Sequence, residues 1–159
     1  MKIAVFSDSH GFVGNMVHAL EQSRFDRIIH LGDYTRDAFE IMRRYPEIPM
    51  DCVAGNGDYS DRKSGTDKIL SVLDKKILIT HGHVHLVSCG HDRLLRFAEG
   101  QGYDAILFGH THIPYAKIEE GKLLLNPGSI SCPRGGGKTI YSVLTVEKGS
   151  ALTWNFVTC

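Results

Sequence analysis

No run of apolar residues in this chain is long enough to cross a bilayer or to act as a secretory leader, because Met1 to Phe6 gives way at once to Ser7-Asp8-Ser9-His10. No membrane partner is expected, and the expected location is cytoplasmic. Excess charge is also missing. The 18 acidic and 18 basic side chains cancel, so no global field draws the chain to polyanions. Nucleic acid stays open as a substrate but is not the expected partner. The four cysteines, Cys52, Cys89, Cys132 and Cys159, form no Cys-x-x-Cys pair. That argues against a zinc ribbon or a disulfide framework and for reduced thiols. Internal repeats and linkers are absent, and Gly135-Gly136-Gly137 is the only low-complexity patch. A chain of 159 residues of this kind is expected to form one domain over residues 1–159.

What the chain does have is histidine. There are nine, and five of them fall in His81-Gly82-His83-Val84-His85 and His110-Thr111-His112. Chance would give about 0.5 His-x-His pairs at this composition, whereas three occur, at 81/83, 83/85 and 110/112. Of the other four, His10 follows Asp8-Ser9, while His18, His30 and His91 fall on an expected helix, strand and loop and read as structural or solvated.

The apolar pattern predicts β-α-β-α-β from the N-terminus. The strands are Ile3 to Phe6, Arg27 to Leu31 and Met50 to Ala54, with helices over Gly14 to Ser23 and Thr35 to Tyr45. Lys68 to Leu73 and Lys76 to Thr80 read as a hairpin around an Asp74-Lys75 turn. A helix over Leu94 to Glu99 and a strand over Ala105 to Phe108 follow, and the remainder reads as mostly β.

Five of these apolar runs end in a residue able to bind a metal: Asp8, Asp33, Asn56, His81 and His110. Parallel strands bring their carboxyl ends to one edge, where α/β proteins build their sites. Polar residues serving only as turns would be spread over both edges. Asp8 and His110 each have a second candidate two residues on, His10 and His112. In extended chain such pairs face one side, with Cα atoms about 6.5 to 7 Å apart. Each pair can then serve two ions about 3.5 to 4 Å apart. Imidazole, carboxylate and amide oxygen suit Mn, Fe, Zn, Ni or Co. Asp8 and Asp33 offset only half the charge of two divalent ions, so such a site would attract a phosphoester anion. Asp33, alone at its strand end, is a natural bridging ligand.

Gly32-Asp33 or Gly55-Asn56-Gly57-Asp58 alone would read as an ordinary turn, and Asp58 reads as a residue that orients its neighbours. Gly137-Lys138-Thr139 is not a P-loop, because that motif needs glycine where Cys132 stands. Arg134 and Lys138 are left as candidate substrate contacts on a loop.

Taken together and in order, Asp8-x-His10, Gly32-Asp33, Gly55-Asn56-x-Asp58, His81-Gly-His83 and Gly109-His110-x-His112 resemble the calcineurin-like metallophosphoesterase superfamily. With Asn126-Pro127-Gly128-Ser129, the short chain is similar to its small bacterial and archaeal phosphodiesterase branch. The resemblance implies a four-layer α/β/β/α sandwich with two mixed β-sheets. It implies one metal on Asp8, His10, Asp33 and His112 and the other on Asp33, Asn56, His81 and His110, with Mn preferred and Ni, Fe, Zn or Co as alternatives. It further implies in-line attack of a metal-bridging hydroxide on a small phosphodiester.

One departure stands out. Many relatives place an acid histidine directly after the asparagine, where this chain has Gly57. The catalytic acid is therefore unassigned, with His83 or His85 as substitutes, and acidic leaving groups such as aryl alcohols are favoured. The alternatives are a non-catalytic scaffold for protein partners, as in the vacuolar-sorting relative of the retromer coat, and a nuclease. Self-association is left open.

Overall fold

A computed structural model describes residues 1–159. Ten strands build two five-stranded sheets. The first holds β1 (Lys2–Phe6), β2 (Arg27–His30), β3 (Met50–Cys52), β9 (Ile140–Thr145) and β10 (Thr153–Thr158), in the order β10-β9-β1-β2-β3. The second holds β4 (Asp67–Val72), β5 (Lys75–Thr80), β6 (Ala105–Phe108), β7 (Pro114–Glu119) and β8 (Lys122–Pro127), in the order β4-β5-β6-β8-β7. Both sheets are mixed. β1, β2 and β3 run parallel, β9 runs antiparallel to β1, and β10 pairs antiparallel with β9, while β5, β6 and β8 run parallel between antiparallel edges β4 and β7.

The layers follow from the two-residue period of strand side chains. Ile3 and Val5 point to a core shared with Ile77, Ile79, Ala105 and Leu107 of the other sheet. Their neighbours Ala4 and Phe6 face the opposite way, onto Met16 and Leu20 of α1 (Gly14–Gln22) and Ile41 of α2 (Thr35–Arg44). In the second sheet Leu78, Ile106 and Phe108 pack on Leu94 and Ala98 of α3 (Asp92–Ala98). Helices therefore cover the outer face of each sheet, giving four layers. A central strand buried on both faces reads as continuous apolar sequence, which is why Ala105 to Phe108 is wholly buried. Truncating Leu107, which sits between the sheets, would cost about 2–5 kcal/mol.

The hairpin differs from expectation by one residue. Val72 pairs with Lys75, so the turn is Leu73-Asp74, with Leu73 at φ +55°. Leu70 and Val72 need the core face, and that fixes the register against the polar appearance of Asp74-Lys75. The other corrections concern ends. β3 stops at Cys52 rather than Ala54, and α3 spans Asp92–Ala98 rather than Leu94 to Glu99.

Candidate metal centre

The carboxyl ends of β1, β2 and β3 in one sheet and of β5 and β6 in the other meet at a single rim. Backbone bonds hold the strand-end loops together. Asp8 N donates to Gly32 O at 3.0 Å, Ser9 N to Asp33 O at 2.8 Å and Gly109 N to His81 O at 3.1 Å. Close approach makes glycine necessary at two of these ends. A Cβ on Gly55 would lie 2.1 Å from Asp33 Oδ1, and one on Gly109 would lie 2.0 Å from Ser7 Oγ.

The geometry of the paired residues differs from the extended chain expected. Asp8, His10, His110 and His112 all have positive φ, between 47° and 69°. The side chains converge because each loop coils tightly, at a steric cost that only surrounding bonds can sustain. Those bonds come from a distant segment. Ser129 Oγ donates to Asp8 O at 2.8 Å, and Ser131 Oγ lies 3.0 Å from Asp8 O and 2.7 Å from Ser9 O.

Two groups of three side chains bring one ligand-type atom each within 4.8 Å of one another: Asp8, His10 and His112, and Asp8, Asp33 and His81. His10 Nε2 lies 3.2 Å from His112 Nε2 and 4.0 Å from Asp33 Oδ2. His112 Nε2 lies 3.3 Å from Asp8 Oδ1. On the other side, His81 Nε2 lies 3.7 Å from Asp33 Oδ2 and 3.2 Å from Asn56 Oδ1. Metal bonds of about 2.0–2.2 Å put donors sharing one ion about 3 to 4.2 Å apart, and all five distances fall in that span. The His110 ring stands 5.1 Å from that of His81, centroid to centroid, and its backbone N–H donates to Asp8 Oδ2 at 3.1 Å. The rim thus gathers the seven side chains singled out above, with Asp33 Oδ2 between His10 and His81.

The second nitrogen of two rings is already committed. His81 Nδ1 lies 2.7 Å from Leu31 O and His112 Nδ1 2.5 Å from Cys132 O. Both nitrogens must carry hydrogen to meet a carbonyl, which leaves Nε2 of each aimed into the cluster. Asp8 Oδ1 is buried and receives no well-formed hydrogen bond, while Oδ2 accepts from Ser7 Oγ at 2.6 Å. Burial pushes the Asp8 carboxyl up, but the close approach of His112 and the charge of His81 outweigh it and leave it below the usual range. The bond to Asp8 raises His112 correspondingly. Burial and then the neighbouring His81 lower His110 and His83. A cluster this rich in facing acceptors needs positive charge between them, as protons or as cations.

Asp58 organises the Asn56 turn. Its Oδ1 accepts from Thr35 N at 2.7 Å at the start of α2, and its Oδ2 from Gly55 N at 2.8 Å and Asp33 N at 3.1 Å. Gly57 N donates to Asp33 Oδ1 at 2.7 Å, which fixes the carboxylate that faces both halves. Of the two substitutes for an acid, His83 lies at the rim, its ring 5.3 Å from that of His81. His85 turns away, 2.7 Å from Asp67 Oδ1 and against the Phe97 ring.

Several contributing residues had no local signal in the sequence. Ser9 Oγ donates to Asp37 Oδ2 at 2.7 Å and lies 3.0 Å from His30 Nε2. Gly32 N donates to His30 Nδ1 at 3.3 Å, so Nε2 carries the proton and donates to Ser9. Asn126 Nδ2 donates to Gly109 O at 2.8 Å and Thr111 Oγ1 at 3.0 Å. Asn126 and Ser129 belong to a quoted motif, yet their roles emerge only from contacts far along the chain.

A family model described as "Calcineurin-like phosphoesterase superfamily domain" matches residues 1–149. The chain is 36% identical over 155 residues to the "Probable metallophosphoesterase YsnB" of Bacillus subtilis, covering 95% of this chain and 88% of that protein. It is 28% identical over 181 residues to the "Phosphodiesterase YfcE" of Escherichia coli, covering 98% and 93%. A crystal structure of a predicted phosphoesterase from Streptococcus pneumoniae superposes with a TM-score of 0.84 at 28% identity, covering 99% of this chain and 88% of that one.

Proposed function

The chain belongs to the calcineurin-like phosphoesterase superfamily, whose relatives are metal-dependent phosphoester hydrolases, and from that premise we propose that the rim holds two divalent cations and hydrolyses small phosphodiesters. Asp8, His10, Asp33 and His112 would hold one ion, and Asp33, Asn56, His81 and His110 the other, with Mn the preferred metal. Bound there, the ions would supply an activated water and offset the charge that develops on phosphorus-bound oxygens.

The observation that carries this reading is the convergence of His112 Nε2, His10 Nε2 and the orphaned Asp8 Oδ1 at donor spacings proper to a coordination sphere. Carbonyl bonds from Leu31 and Cys132 lock the ring tautomers, so these residues are oriented for cations before any arrive. Asp33 faces both halves and would be the residue held in common by the two ions. With two carboxylates set against two divalent ions, the loaded rim would stay cationic and would attract an anionic diester. The E. coli relative named a phosphodiesterase supports the diester class. Gly57 leaves the position after Asn56 without a proton donor, which favours leaving groups that depart as stable anions.

The test is turnover of bis(p-nitrophenyl) phosphate by purified protein with added Mn or Ni. Hydrolysis that chelation and Asp33→Ala both abolish is expected. Turnover that survives chelation would reject the reading, and faster cleavage of single-stranded DNA would redirect it to a nuclease.

A further inference from the structure

An open cavity of about 490 Å³ lies beside the rim, lined by Gly11, Phe12, Val13, Gly14, Asn15 and Ser131. That volume is within the roughly 300–1,000 Å³ usual for small-molecule sites. The cavity and the cluster share a wall. Gly11 directly follows His10, and the Ser131 hydroxyl that lines the cavity is bonded to the carbonyls of Asp8 and Ser9. Phe12 N donates to Ser9 O at 2.9 Å, so the ring is carried on the same turn that presents Asp8 and His10. The Asn15 Nδ2 bond to Ile130 O at 2.8 Å ties the start of α1 to the residue preceding Ser131.

Phe12 is 66% exposed, although it sits between a buried strand end and a helix with buried neighbours available. An aromatic ring held in water on a fixed turn, one residue past His10–Gly11, offers a face for another ring to stack on. Gly14 adds room, since a Cβ built there would meet nothing within 4 Å. We propose that this cavity is the subsite for an aromatic ester group of the substrate, with Phe12 as its stacking face. The inference rests on the phosphoesterase reading and deepens it. The missing proton donor at Gly57 makes acidic, aryl-type leaving groups favourable, and the Phe12 cavity supplies the contact surface that would select them.

The test compares phenylphosphonate with methylphosphonate, which share the anionic head and differ only in the ring. Binding of each to Mn-loaded protein is measured by calorimetry in the wild type, Phe12→Ala and Gly14→Leu. Phe12→Ala removes the stacking face, and Gly14→Leu fills the cavity at a helix position that tolerates a side chain. Wild type is expected to prefer the phenyl compound about two- to tenfold, the scale of one aromatic pair, and both variants to lose that preference while binding methylphosphonate unchanged. Equal binding of the two compounds by wild type, binding of neither, or a phenyl preference that survives both variants would overturn the inference. Bis(p-nitrophenyl) phosphate turnover is followed in parallel. Turnover without phenyl preference removes the subsite alone, and phenyl preference without metal-dependent turnover removes the phosphoesterase reading alone.

Discussion

His112 brings its Nε2 to 3.3 Å from Asp8 Oδ1 while its Nδ1 is held by the Cys132 carbonyl. Asp8 follows β1 of one sheet and His112 follows β6, the middle strand of the other, so the pair is a contact between sheets at their common rim. Its ring orientation is set from outside the cluster, and its inward nitrogen faces an oxygen that no other donor satisfies. In an apo protein an extra proton on His112 can fill that gap, which is the direction of its raised pKa. A cation held by Asp8 and His112 would displace that proton and supply the positive charge in its place.

Asp33→Asn keeps size and one oxygen but removes the charge shared by the two halves. Loss of several kcal/mol of transition-state stabilisation, about 10²- to 10⁴-fold in kcat, is expected. Steady-state kinetics on the aryl diester, with circular dichroism to verify the fold, would check it. Activity within a few-fold of wild type would remove Asp33 from the bridge.

Asp58→Ala touches none of the seven side chains, yet it frees Gly55 N, Asp33 N and the α2 terminus together. Metal affinity is expected to fall about 10- to 100-fold. Stability should drop by roughly 1 kcal/mol from the lost cap. Metal titration and urea unfolding read the two effects separately, and Asp58→Asn should recover only part of each.

Gly109→Ala would push a methyl group to 2.0 Å from Ser7 Oγ and 3.1 Å from Asp8 Oδ2. Destabilisation of about 1–3 kcal/mol is expected from the forced shift, with weakened metal binding because Asp8 must move. The double variant with Ser7→Ala removes the nearest atom and should recover part of the stability. A single variant as stable as wild type would contradict the packing described for this loop.

His30 is fully buried, and burial lowers its pKa from 6.5 to about 4 despite the nearby carboxylates. A folded-state pKa below the unfolded value means that the unfolded chain takes up the proton first as pH falls. Stability from this group is therefore complete above pH 6.5 and declines between 6.5 and about 4, by roughly 3 kcal/mol. Urea unfolding of the metal-free protein across that window should show one more proton taken up on unfolding than in His30→Gln. Equal pH slopes would mean that His30 titrates normally in the fold.

The sheets and the site were legible to different depths. Ile3 to Phe6 and Ala105 to Phe108 announced buried strands because both of their faces meet packed layers, and the candidate ligand at each strand end was visible as residue type and position. What the sequence hid was the conformation that aims those ligands. Spacing two at Asp8/His10 and His110/His112 fits extended chain, yet all four residues are left-handed. The bonds that hold them so come from Ser129, Ser131 and Asn126, which no local pattern connects to residue 8 or 110. The Ser9–His30–Asp37 contacts are hidden for the same reason, being pairings across elements rather than within them. The hairpin slipped by one residue because Asp-Lys has turn character while burial of Leu70 and Val72 decides the register.

The central claim, that the rim is a two-cation centre, is tested most directly by counting metal. Calorimetric titration of chelator-treated protein with Mn should give two equivalents per chain in the wild type. His112→Ala should lose one equivalent, and Asp33→Ala should weaken both. A wild type that binds no Mn, Ni, Fe, Zn or Co, or one whose binding is unchanged in Asp33→Ala and His112→Ala, would contradict it.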